Sequence, residues 1–179
     1  MSSNGTSKKV IAIQGDITQQ GVDAIVNAAN ESLLGGGGVD GAIHQAAGPA
    51  LLEECHTLNG CNVGDAKITK GYQLLAKWVI HTVGPIWRGG NHQEDQLLAS
   101  CYRRCLEIAT EKRLKTIAFP AISTGVYGYP MELATPIAIQ TVNNFLQGNT
   151  TIHQVIFVCF SLDSYDCYKR FILEMLPEK

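Results

Sequence analysis

The feature that most constrains this chain is an alternation of short β-rich runs with longer amphipathic segments. Residues 9–14 (KVIAIQ) and 23–28 (DAIVNA) read as strands, followed by 66–69, 76–83 (AKWVIHTV), 115–119 and 153–160 (HQVIFVCF). Between them the spacing predicts helices over 39–58, interrupted at Gly48-Pro49, and over 93–112, 130–147 and 164–176. Strands that alternate with helices pair in parallel, because each helix carries the chain back across the sheet. The expectation is an α/β fold with helices on both faces of a sheet. Residues 1–8 read as a flexible tail and 9–179 as a single domain, without an internal repeat or a linker.

Composition narrows the function classes. Of 179 residues, 45% are hydrophobic and 17% charged, which supports a real core and excludes a disordered chain. Lys and Arg number 14 against 16 Asp and Glu, a net charge of -2 that argues against a domain built on a nucleic-acid backbone. The longest stretch without Asp, Glu, Lys or Arg, 133–162, is broken by Pro136, Asn143, Asn144 and Gly148, so no bilayer span is expected. Six cysteines contain no CxxC pair and read as reduced, buried thiols of a cytosolic protein. A monomer is the expected state.

Two segments share one design, a strand, then a glycine loop without Lys or Arg, then a helix start. The first runs from Asn27 through Asn30 and Gly35, Gly36, Gly37 and Gly38 to Val39, Asp40 and Gly41; the second runs from Phe119 through Ser123, Thr124, Gly125, Val126, Tyr127 and Gly128 to Pro130. Glycine lets backbone N–H groups converge on an anion, and a helix N-terminus adds partial positive charge. Two such loops facing one crevice suit a diphosphate. Glycines that merely form tight turns are the alternative, but four in succession lose chain entropy without adding packing. Gly36 to Gly41 also satisfies GxGxxG literally, yet no acid closes a strand about twenty residues later, as a dinucleotide fold requires. A P-loop, a GxSxG elbow, an HExxH motif and metal-ligand spacing are all missing, so neither ATP hydrolysis of that type nor a catalytic metal is expected.

Asp40 and His44 lie four apart and share a helix face. Asp40 is either a first-turn acid complementing the helix dipole, with His44 its local partner, or a carboxylate aimed into the crevice to position or deprotonate a water. Asn27 and Asn30 close the preceding strand, either capping turns or holding sugar hydroxyls. Asp16 has turn formation as its default and an adenine amino group as the alternative. Phe160 ends the last strand, where it packs in the core or stacks on a base. Tyr127, between two glycines of the loop, is expected to be exposed and able to cover a ligand.

Taken together, five segments resemble the macrodomains, specifically the MacroD-type branch of ADP-ribosyl hydrolases. They are Gln14-Gly15-Asp16-Ile17-Thr18, the run from Asp23 to Asn30, the run from Gly35 to His44, His81-Thr82-Val83-Gly84-Pro85, and the run from Phe119 to Pro130. The resemblance implies a three-layer α/β/α sandwich around a mixed, largely parallel sheet with ADP-ribose in a crevice above it. It implies that Asp16 and the Ile17 backbone take the adenine, on which Phe160 stacks. Backbone N–H groups around Gly37, Gly38 and Val39, and around Ser123, Thr124, Gly125, Val126 and Tyr127, would cradle the diphosphate. Asn30 and Asp40 would hold the distal ribose and a water, with His44 supporting Asp40. Asn27 is kept among the ligand-binding candidates. The implied reaction is hydrolysis of esters at the distal ribose, in O-acetyl-ADP-ribose and in proteins mono-ADP-ribosylated on Asp or Glu, with no cofactor or metal. A reader that binds ADP-ribose without cleaving it is the alternative.

Overall fold

Strand side chains point alternately to the two faces of a sheet, and this chain uses both faces for core. In the computed structural model, which describes residues 9–148 and 150–177, the strands are β1 (Lys9–Gln14), β2 (Ala24–Ala28), β3 (Ala66–Lys70), β4 (Trp78–Thr82), β5 (Thr116–Phe119) and β6 (Gln154–Cys159). The tail expected over 1–8 lies outside the described residues. The strands form one sheet in the order β1-β6-β5-β2-β4-β3. Neighbours are parallel except β3, which runs antiparallel to β4. The expected mixed, largely parallel sheet is what forms.

Along β2, Ala24 and Val26 join one core with Ile117, Phe119, Val155 and Phe157, while Ile25 joins a second with Val79, Ala118, Ile156 and Val158. The first face is covered by α3 (Glu94–Glu111), α4 (Met131–Leu146) and α5 (Leu162–Met175); the second by α1 (Gly38–Ala47) and α2 (Pro49–His56). Tyr102, Phe119, Phe157 and Tyr168 form an aromatic cluster in the first core, with ring centroids 4.8–6.3 Å apart. The result is the α/β/α sandwich.

The interruption expected at Gly48-Pro49 is present: Gly48 adopts φ +85° and Pro49 begins a new first turn, so the segment forms two helices. Two features differ from the expectation for local reasons. Helix α5 starts at Leu162 instead of 164, since Ser161 caps it by accepting the Ser164 N–H at 3.1 Å. A 3-10 turn at Ile17–Gln19, absent from the periodicity, is capped by Asp16.

Strand order places the crevice. After β2 the chain enters α1 on one face, and after β5 it enters α4 on the other, although β2 and β5 are neighbours. Their exit loops therefore part to opposite sides and leave a cleft at the carboxyl ends, a topological switch point where α/β sheets take ligands.

Candidate active site

The glycine run delivers Asp40 to this cleft. Gly38 opens α1 with φ +59°, a conformation that costs an L side chain energy, and Gly35 likewise sits at φ +94°. Gly36 is the tight point. A Cβ there would stand 3.1 Å from Asp40 Oδ2 and 3.4 Å from Asn30 Nδ2, so the carboxylate and the amide flank this one glycine. A Cβ on Gly41 would come within 2.6 Å of the Gly36 carbonyl oxygen, so that glycine lets the loop fold back onto its own helix. Asn30 is fixed from both ends. Its Nδ2 donates to the Gly35 carbonyl at 3.0 Å, and its Oδ1 accepts from Ser32 Oγ at 2.7 Å.

Asp40 is only 4% exposed and does not stand alone. Its Oδ1 accepts from Asn27 Nδ2 at 2.8 Å and lies 3.4 Å from His44 Nε2. The helical spacing of Asp40 and His44 thus becomes real proximity. Asn27 departs from expectation. It is fully buried, on the α1 side of the sheet beneath Asp40, with its amide turned to Asp40 and His81. The period-2 alternation of β2 turns its side chain inward with that of Ile25. Behind it, Asn27 Nδ2 also contacts His81 Nδ1 at 3.1 Å, and His81 Nε2 meets Thr69 Oγ1 at 2.9 Å. Burial, and secondarily the neighbouring His44, push the His81 pKa down to about 3. Cys55 sits 3.9 Å from the same ring, and burial followed by the charges of Asp40 and Glu54 pushes its thiol up to about 11.

The second loop is braced from behind. Ser123 adopts φ +66°, is buried, and has an Oγ without a protein partner. Its carbonyl accepts from Tyr129 N, and Gly125 O accepts from Gly128 N, so the loop closes on itself. A Cβ on Gly84 would fall 2.2 Å from Ser123 Oγ, which shows how closely the β4 exit passes under this loop. Trp87 N donates to Tyr127 O at 2.8 Å, and its ring packs on Tyr129 at 4.6 Å. Glu94 in turn holds the Trp87 segment: its buried carboxylate accepts from the N–H groups of Arg88, Gly90 and His92. Burial alone would raise the Glu94 pKa, but these N–H bonds outweigh it and hold the group at about 2. Thr124 and Tyr127 are half-buried, whereas Gly125 and Val126 are exposed, so the expected exposure of Tyr127 is only partial.

At the far end of the cleft, β1 and β6 end side by side, with Gly15 N bonded to Cys159 O at 2.9 Å. Phe160 is 88% exposed there, which excludes core packing. Asp16 is exposed and its Oδ1 accepts from Thr18 N and Thr18 Oγ1 at 2.9 and 2.7 Å, so its turn-forming role is present; Ile17 beside it is buried. Asp16, Phe160, the second loop and the glycine loop therefore follow one another along β1, β6, β5 and β2.

Residues 26–138 match the family model described as Macro domain. The chain belongs to the Macro domain family. It is 57% identical over 179 residues to the Xenopus laevis ADP-ribose glycohydrolase MACROD2, covering 98% of this chain and 42% of that protein. It is 54% identical over 172 residues to the Salmonella newport O-acetyl-ADP-ribose deacetylase, covering 94% and 96% of the two. A mutant of the Oceanobacillus iheyensis macrodomain solved with ADPR superposes with a TM-score of 0.91 at 45% identity, covering 99% of each chain.

In this macrodomain the glycine loop, Asn30, Asp40 and His44 come together at one end of the cleft. Ser123, Thr124, Gly125, Val126 and Tyr127 form the neighbouring wall, and Asp16, Ile17 and Phe160 lie at the other end. Sequence reasoning assigns no role to His81, Thr69, Gly84 or Glu94, although the run from His81 to Pro85 is one of the five segments that carry the resemblance and His81 is a histidine within the strand WVIHT. Among the described residues, no helix is long and apolar enough to cross a membrane, and no group of three or more His, Cys, Asp or Glu could hold a metal.

Proposed function

We propose that this macrodomain binds ADP-ribose along its strand ends and hydrolyses ester-linked mono-ADP-ribose on Asp or Glu of modified proteins, and the ester of O-acetyl-ADP-ribose. The observation that carries this reading is Asp40, a nearly buried carboxylate set in the first turn of the glycine-led helix with Asn30 across Gly36. A site that only gripped phosphates would gain nothing from an anion there, because it repels them. A site that positions a water for attack needs such an acceptor.

The dimensions suit the ligand. From β1 to β2 there are three strand spacings, about 14 Å. Adenine takes the Asp16, Ile17 and Phe160 end. The diphosphate lies against the N–H groups of Gly37, Gly38 and Val39 at the positive end of α1, and against those of the loop from Ser123 to Tyr127. Tyr127 then covers the distal ribose, beside Asn30 and Asp40.

The water held by Asn30 and Asp40 adds its oxygen to the ester carbon and passes its proton to Asp40 or to a phosphate oxygen. The ester C–O bond breaks, and the ribose oxygen leaves as a hydroxyl on taking that proton. For an ester at the anomeric position, attack on the anomeric carbon gives the same two products. His44 supports the carboxylate. Two relatives named for hydrolysis of ADP-ribose derivatives, at 57% and 54% identity, support the reading. The six cysteines are all free and buried, which suits a reducing compartment, and we place the protein in the cytosol.

The deciding experiment is release of ADP-ribose from a protein mono-ADP-ribosylated on Glu, with EDTA present. Rapid release is expected. Retention of the modified protein without release would overturn hydrolysis and leave the reader.

Phe160→Ala is expected to weaken ADP-ribose binding by about 1–3 kcal/mol, the usual worth of one aromatic–base stack. At 88% exposure Phe160 contributes nothing to the core, so the melting temperature should stay at the wild-type value. Titration calorimetry checks the first point; unchanged affinity would remove the stacking role.

A further inference from the structure

Asp40 hangs from a chain of buried polar groups that the reaction does not touch. Asn27 and His81 are both 0% exposed and Thr69 is 1% exposed, on three different strands that pair side by side as β2, β4 and β3. The direction of each bond can be assigned from chemistry. A carboxylate only accepts, so the Asn27 group 2.8 Å from Asp40 Oδ1 is the NH₂; turned over, its carbonyl would face the carboxylate. The same NH₂ meets His81 Nδ1 at 3.1 Å, which makes Nδ1 an acceptor and puts the ring proton on Nε2. That proton goes to Thr69 Oγ1 at 2.9 Å, and the Thr69 hydroxyl donates to the Lys70 carbonyl at 3.1 Å. The series ends on a backbone acceptor that cannot reverse, so every group in it has one orientation.

We propose that Thr69, His81 and Asn27 form a buried relay that fixes the tautomer of His81, thereby the amide of Asn27, and thereby the orientation of the Asp40 carboxylate. His81 and Thr69 are positioning residues for the hydrolysis, and this rests on the role given to Asp40 above. The other groups facing His81 do not supply the same bond. From α1, His44 lies with its ring 6.4 Å away, and from α2, Cys55 stays a thiol at 3.9 Å. Lys67, paired with His81 across β3, donates its ammonium to Leu58 O at 2.7 Å. Thr69 is thus the group that tells His81 which nitrogen carries the proton.

The test compares Thr69→Val with Thr69→Ser. Valine keeps the shape but offers no acceptor, freeing His81 to place its proton on Nδ1 against Asn27; serine restores the hydroxyl. For release of ADP-ribose from the Glu-modified protein, Thr69→Val is expected to lower kcat about 10–100-fold, as loss of an outer hydrogen-bond partner does at metal sites. KM should hold, and Thr69→Ser should restore kcat. Wild-type kcat in Thr69→Val overturns the relay. If Thr69→Val does not fold, His81→Leu removes the acceptor for Asn27 directly and must give the same kcat loss.

Nuclear magnetic resonance separates this from failure of the proposed function. Should the wild-type protein release no ADP-ribose, ¹⁵N shifts of His81 still decide the relay. An Nε2–H tautomer in wild type that is lost in Thr69→Val and restored in Thr69→Ser supports it. An Nδ1–H tautomer in wild type, or an unchanged tautomer in Thr69→Val, overturns it.

Discussion

Asp40→Ala is expected to slow release of ADP-ribose from an ester-modified protein by about 10²–10⁴-fold, the usual worth of a positioned acid–base group. The change removes the one carboxylate that Asn27 presents to the glycine loop and leaves the backbone donors of both loops in place. ADP-ribose affinity should therefore survive, or improve slightly, because a negative charge near the diphosphate is gone. A separation of turnover from binding is what identifies a residue acting in the transition state and not in ground-state binding. Asp40→Asn refines the role. If the carboxylate takes the proton, the amide is as slow as alanine; if it only orients the water, the amide keeps much of the rate. An unchanged rate in both variants would remove Asp40 from the reaction.

How much of this site the sequence discloses depends on how local each relation is. Asp40 and His44 are four residues apart on one helix, so their proximity follows from 3.6 residues per turn. The glycine loops and their strands are equally local, and the apolar runs mark the buried parallel strands. Asn27 shows where that reasoning stops. The alternation of β2 assigns Asn27 to the face of Ile25, but only the pairing of β2 with β4 reveals that His81, 54 residues later, waits beside it. An asparagine at a strand end offers a turn cap or a ligand group, and neither reading includes its contacts to Asp40 and His81. Glu94 was hidden for a similar reason. As a first-turn helix acid it looks ordinary, yet it gathers three N–H groups of the preceding loop, a structure with no period to detect.

The same buried histidine sets the second large effect, a loss of stability in mild acid. Burial first, and His44 second, hold His81 neutral in the folded protein down to about pH 3, whereas the unfolded chain protonates it near its ordinary value of 6.5. Between those values the unfolded state binds more protons, so stability falls as pH falls. Near pH 4.5 the loss should reach about 2–3 kcal/mol, a large share of the roughly 5–15 kcal/mol that a domain usually has.

Glu94 acts in a lower window. Its folded pKa is depressed to about 2 from 4.5, so its contribution is complete above 4.5 and lost only as pH drops from there toward 2. Asp65, depressed from 3.8 because its bonds to the Ala66 N–H and Arg104 outweigh the opposing effect of burial, belongs to that lower window too. The fall between 6.5 and 4.5 is thus assigned to His81. Urea unfolding at steps through that interval should give a steep decline for wild type and a nearly flat line for His81→Leu, even though the variant starts less stable. Parallel declines would mean that another group takes up the proton. A flat variant would instead show that one buried imidazole, held neutral by its burial and accepting from Asn27 through Nδ1, carries the acid sensitivity of the fold.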